Sequence, residues 1–107
     1  MGRKIKNIGR FTEKVDVIYI TGETETDLGA ATKTVETKTI YANAEELDDT
    51  AMIQFGMNLM DKAVTFTMRN EIDGRVEHIS WNDDEYYPVR VKGDKKSRFL
   101  IITARAK

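Results

Sequence analysis

The chain holds one histidine, His78, and a short acidic run follows it at Asp83, Asp84 and Glu85. An imidazole near paired carboxylates is the material of general acid–base catalysis, and a carboxylate cluster is the material of a divalent-cation site. Trp81, Tyr86 and Tyr87 flank the acids. Aromatics in that arrangement can stack on the bases of a single strand.

Each of these readings has a plainer competitor. His78 alternates with Ile79, so it shares a strand face with Val76 and Ser80, and no motif supplies a second ligand. A lone imidazole in that setting reads as a surface or satisfied side chain. The acids lie between two strand-like runs. Turns favour Asn and Asp because their side chains bond the local backbone and tolerate unusual dihedrals. In water nothing raises a carboxyl pKa. Trp81 and Tyr86 flank the same turn and read as a packed pair across two strands. Tyr87, Val89 and Val91 alternate as a core face does. Pro88 lacks an N–H and marks an edge or a bulge.

Other chemistry is excluded more directly. The chain has no cysteine, which removes disulfides, thiol nucleophiles and thiolate metal sites and is compatible with a reducing compartment. G-x-S-x-G, H-E-x-x-H, the P-loop and G-x-G-x-x-G are all missing. The sequence therefore assigns no catalytic, cofactor-binding or metal residue, and the chain reads as a non-enzyme.

The elements that must position these residues follow from pattern. The 107 residues, 40% hydrophobic and 33% charged, suit one globular domain spanning 1–107. No apolar run approaches the roughly 20 residues that cross a bilayer. MGRKIKNIGR is basic but lacks the apolar core of a signal peptide. Residues 1–11 show no periodicity and read as a mobile arm.

KVDVIYIT (Lys14–Thr21) reads as a strand covered on both faces. GETETDLGAA (Gly22–Ala31) reads as a polar loop of about ten residues. TKTVETKTIYA (Thr32–Ala42) reads as a mostly solvated strand, so the two strands form a long hairpin with a projecting tip. DDTAMIQFGMNL (Asp48–Leu59) changes to helical spacing at Ala51, Met52 and Phe55. Asp48 or Asp49 can cap that helix and Gly56 can end it; an earlier start, with Asn43 as cap and Glu46 closing a capping box, also fits.

AVTFTMRN (Ala63–Asn70) alternates, with Val64, Phe66 and Met68 on one face. Asp73–Gly74 is a favoured hairpin pair and predicts that the next strand, VEHISW (Val76–Trp81), folds back beside it. YYPVRV (Tyr86–Val91) and SRFLIITARA (Ser97–Ala106) complete the set. The expected fold is mainly β: an antiparallel barrel or sandwich of about six strands, with one short inserted helix and a long projecting hairpin loop.

Charge is segregated along the chain. Residues 1–14 hold Arg3, Lys4, Lys6, Arg10 and Lys14 against Glu13, a balance of +4. Residues 90–107 hold seven basic residues, among them Lys95, Lys96 and Arg98, against Asp94, a balance of +6. With a total of −1, the segment between them carries −11. Basic ends suit contact with nucleic acid. They equally suit contact between one subunit's ends and the acidic middle of another. Arg3, Lys4, Lys6, Arg10, Lys95, Lys96 and Arg98 are the candidate docking residues on either reading.

The order of pieces resembles the head–tail joining proteins of tailed bacteriophages, also called head-closure, stopper or adaptor proteins. The likeness runs from about position 12 to 105. VDVIYI and its polar Gly-flanked loop are similar to the family's first strand and long loop. TIYANAEEL (Thr39–Leu47), with Tyr41-Ala42, is similar to its second strand. TAMIQFGMNL resembles the helix with a trailing Gly, AVTFTMRN the strand ending in a basic residue, here Arg69, and ISWNDDEYYPVRV the aromatic-flanked hairpin. Two departures stand out: Asp-Asp occupies the turn where a glycine is common, and the basic arm is longer.

The resemblance implies a small β-barrel that assembles into a ring, usually of six or twelve copies, beneath the portal and its adaptor. Such a ring helps retain packaged DNA and offers the tail a platform, with no reaction catalysed and no cofactor. It implies a place in the virion, at the head–tail junction, after synthesis in the bacterial host cytoplasm. Its partners would be further copies, portal or adaptor proteins, tail proteins and, transiently, DNA in the channel, with no membrane. The family's long loop reaches towards the channel or a neighbouring ring, which here places Gly22, Glu23, Glu25, Asp27, Leu28 and Gly29 at that contact. An acidic channel lining would let DNA pass without adhering. Two alternatives are a tail-terminator neck protein and a small barrel that binds single-stranded nucleic acid.

Overall fold

A computed structural model describes residues 11–25, 31–58, 61–93 and 96–106. Among the described residues there are six strands, β1 (Glu13–Glu25), β2 (Ala31–Glu46), β3 (Ala63–Arg69), β4 (Arg75–Trp81), β5 (Asp84–Lys92) and β6 (Phe99–Ala106), and one helix, α1 (Asp49–Gln54). The strands close into an antiparallel barrel in the order β1-β2-β3-β6-β5-β4.

Alternation builds the core. Val15, Val17 and Tyr19 of β1 point inward, as do Val64, Phe66 and Met68 of β3 and Leu100, Ile102 and Ala104 of β6. Their partners between, such as Asp16, Thr65 and Ile101, point out. Complete burial of a Val, Ile or Phe side chain contributes about 1.5–3 kcal/mol, and eight large side chains here are fully buried. The outward face of β1 is less covered than its sequence suggests: Asp16 is exposed and Ile18 half-buried. Ile20 is buried beside Tyr19 because irregularities at Ile18/Tyr19 and Ile20/Gly22 break the alternation.

The long hairpin is more strand and less loop than expected. β1 runs on to Glu25 and β2 begins at Ala31, with Gly22 opposite Thr34 and Glu25 opposite Ala31. β1 meets β4 only from Asp16 to Ile20, and β2 meets β3 only from Ala42 to Glu46. Ile40 still reaches the core and Lys38 still bonds the Glu71 carbonyl at 3.2 Å, but past Ile20 the described part of β1 pairs only with β2, and the molecule measures 58 × 30 × 26 Å.

The helix is shorter than its pattern and starts late. β2 continues through Asn43 to Glu46, so the earlier capping box does not form. Asp48 is the cap: its Oδ1 accepts from the Ala51 N–H at 2.8 Å. Gly56, at φ 71°, ends the helix, and the Met57 N–H bonds back to the Met52 carbonyl at 2.9 Å. Met52, Met57 and Ala63 form a second small core with Leu47 and Phe55.

The expected β3–β4 hairpin at Asp73–Gly74 does not form. β3 pairs with β2 and β6, and β4 pairs with β1 and β5. Residues 70–74 instead cross one end of the barrel, and Ile72 packs on the core beneath them. Gly74 serves that crossing rather than a tight turn, because a Cβ there would overlap the carbonyl oxygen of Ile20.

Candidate functional site

ISWNDDEYYPVRVKG, where rare residue types crowd, folds as the β4–β5 hairpin and the run of β5 beyond it. Trp81 lies opposite Asp84, leaving Asn82 and Asp83 as the two central turn residues at φ 51° and 66°. A pair of left-handed residues makes a turn whose twist matches its strands, and Asn and Asp tolerate that conformation. The acidic turn is thus a backbone solution.

The aromatics pack inward. Phe66 touches Trp81 and Tyr86 edge to face, at centroid distances of 5.6 and 5.5 Å. Trp81 and Tyr86 contact each other at 5.9 Å, although the direct cross-strand partner of Tyr86 is Ile79. The Trp81 indole N–H donates to Glu13 at 3.1 Å. The Tyr86 ring is fully buried, and among the described residues its hydroxyl has no hydrogen-bond partner.

Tyr87, Val89 and Val91 do not form one inward face. The β5–β6 register shifts between Pro88 and Arg90. This bulge, at the proline, inserts one residue and reverses the phase of the strand. Tyr87 therefore lies outside, opposite exposed Arg105, while Val91 falls opposite buried Ile102. Val91 is still 45% exposed, because β5 has parted from β4 there. It lines an open cavity of about 440 Å³ with Ile72, Val76 and Leu100.

His78 sits on the outer surface. Its Nδ1 lies 3.0 Å from Glu77, and its ring stacks on Tyr87 at 5.4 Å. The Tyr87 hydroxyl donates to Glu85 at 3.0 Å, and this bond raises the Tyr87 pKa. Lys62 donates to Asp84 at 2.7 Å, and this bond raises the lysine's pKa. The His78–Tyr87 stack joins β4 to β5, and the Lys62 bond ties the residue before β3 to the start of β5. Among the described residues, no group of three His, Asp or Glu side chains could hold a metal ion.

The proposed contact loop is partly in view. Gly22 is exposed, with open space about its Cα, and Glu23 and Glu25 lie in the paired part of β1. Asp27, Leu28 and Gly29 fall outside the described residues. So do Arg3, Lys4, Lys6, Arg10 and Lys95; Lys96 and Arg98 are exposed in the connection leading into β6. Phe11, the first described residue, packs edge to face on Phe99 at 5.8 Å. The described end of the N-terminal segment therefore meets the start of β6.

Sequence reasoning missed the outward grid on β3, β6 and β5. Thr67, Ile101 and Lys92 lie side by side across these strands, as do Thr65, Thr103 and Arg90, with Arg69 opposite Phe99. Arg69, Arg90 and Lys92 are exposed. The alternation of β3 and β6 signals which residues face out, but only the strand order brings them together.

No family model matches the chain, and no curated protein matches it. Among solved structures the fold is similar to the solution structure of protein SF1141 from Shigella flexneri 2a. The TM-score is 0.65 at 19% identity, over 94% of this chain and 96% of that one.

Proposed function

We propose that the chain is a structural subunit of a phage neck: a ring-forming head–tail joining protein that docks beneath the portal or adaptor, helps retain packaged DNA and offers the tail its platform. The observation that carries this reading is the long β1–β2 hairpin, which leaves the closed barrel at Ile20 and continues to Glu25 and Ala31. A two-stranded arm held only by itself contributes little to its own domain's core. It is suited to reaching a neighbour, and its sequence is rich in polar Thr and Glu residues. The order of strands and helix along the chain is also the order that the family resemblance implies. The partners on this reading are further copies, portal or adaptor proteins and tail proteins, in the virion.

The single-strand-binding alternative draws less support. Trp81 and Tyr86, two of the aromatics that would stack on bases, are spent on packing around Phe66.

The test is genetic. Phage lacking this protein should package DNA and then lose it, or accumulate filled heads without tails, as seen by electron microscopy and nuclease protection. Normal DNA retention and tail attachment in such phage would sink the reading.

A further inference from the structure

We propose that the outer face of β3, β6 and β5 docks on the β2 end and α1 of a second copy of this chain, head to tail. The inference deepens the reading of the chain as a self-assembling subunit and rests on it.

The first half of the contact is the outward grid. Arg69, Arg90 and Lys92 surround Ile101, which is 36% exposed. Arg98 stands at the entry to β6. None of these four cations pairs with a carboxylate among the described residues. That sets them apart from Arg105, which lies 3.6 Å from Asp61, and Lys62, which is held by Asp84.

The second half is an acidic knob. Glu45 and Glu46 end β2, and Asp49 opens α1; all three are exposed and, among the described residues, pair with no cation. Beside them Ile53, 63% exposed, is the most exposed large hydrophobic residue of the described chain. Each patch is thus an isoleucine bordered by charge, of opposite sign in the two. An apolar centre with a charged rim is the anatomy of a protein–protein contact.

The patches do not pair with one another among the described residues of one molecule. Glu45 stands in the same cross-strand row as Arg90, but Thr65 and Thr103 lie between them. A contact between unlike patches is heterologous, and its repetition gives a ring when the rotation closes. Charge of opposite sign also fixes the register of the encounter. A phosphate backbone would satisfy the cations but not Ile101, which favours a protein partner over nucleic acid.

The experiment is sedimentation of the full chain in low and high salt, up to millimolar concentration. Wild type should associate, more weakly in high salt. Arg90→Glu/Lys92→Glu and Glu45→Lys/Glu46→Lys should each weaken association by about tenfold or more. The chain carrying all four changes should recover it, which mere loss of fold would not allow. Unchanged thermal melting in each variant checks that fold directly. Association indifferent to both reversals overturns the assignment of these faces and leaves self-assembly standing. A chain that stays monomeric throughout also overturns the assignment, while the neck reading is judged separately by the phage lacking the protein. A monomer that binds a duplex oligonucleotide through Arg90 and Lys92 makes the grid a nucleic-acid surface instead.

Discussion

Two hairpins divide the labour in this barrel. The β4–β5 hairpin turns in two residues and places Trp81 and Tyr86 against Phe66. The β1–β2 hairpin carries no buried side chain past Ile20 on β1 or before Ile40 on β2, among the residues whose side chains are described. The first is rich in rare residue types and is structural. The second is plain in composition and is free to do something else. Unusual residues mark where packing demands are strict, and such demands are as common in a core as in an active site.

The contrast can be broken at several points. The largest effect should come from the anchor of the short hairpin: Phe66→Ala is expected to cost about 3–5 kcal/mol in chemical denaturation. If it costs under about 1 kcal/mol, the aromatic cluster does not hold the barrel. Asp83→Val should cost about 1–2 kcal/mol, because a β-branched residue resists the left-handed conformation, whereas Asp83→Gly should be nearly neutral. Replacing Gly22–Lys33 by Asn-Gly should change stability by less than about 1 kcal/mol, since a loop's length affects closure entropy only weakly. The same replacement should abolish tail joining in phage; a large loss of stability would instead make the long hairpin part of the fold.

Tyr86→Phe should be neutral or stabilising by up to about 1 kcal/mol, because the deleted hydroxyl is buried without a partner. The smallest effect is alkaline. Lys62 and Tyr87 both hold their protons more tightly in the folded chain, so folding weakens as pH rises through and above their ordinary values of 10.5 and 10.0. Asp84→Asn should remove the lysine's part of that slope and Glu85→Gln the tyrosine's, read as the pH dependence of melting temperature.

Much of the fold was legible because it rests on period. Val64, Phe66 and Met68 announce their face, and Asp48 and Gly56 bound the helix. What was lost depends on partners that local pattern does not name. Asp73–Gly74 favours a turn, yet nothing near it says that β4 must lie beside β1. The stretch from Gly22 to Glu25 reads as loop because it holds no apolar residue and so displays no alternation. Alternation carried across Pro88 puts Tyr87 on the inward face, where it does not lie. The proline itself was the available signal, since a residue without an N–H is where a ladder can slip. The grid of Arg69, Arg90 and Lys92 could not be read at all, because it exists only once three strands from distant segments lie together.

The seam between β1 and β4 has a consequence in time. Asp16 pairs with Ser80 and Ile20 with Arg75, so the barrel closes by joining segments far apart in the chain. Each local hairpin can form early, but the seam gains nothing until the connection 70–74 has crossed and β4 has arrived. Chains dominated by such distant pairings fold in roughly milliseconds to seconds. Until closure, β1 keeps an open edge along its buried half, the one interval in which a newly made chain presents an unpaired apolar strand to its neighbours.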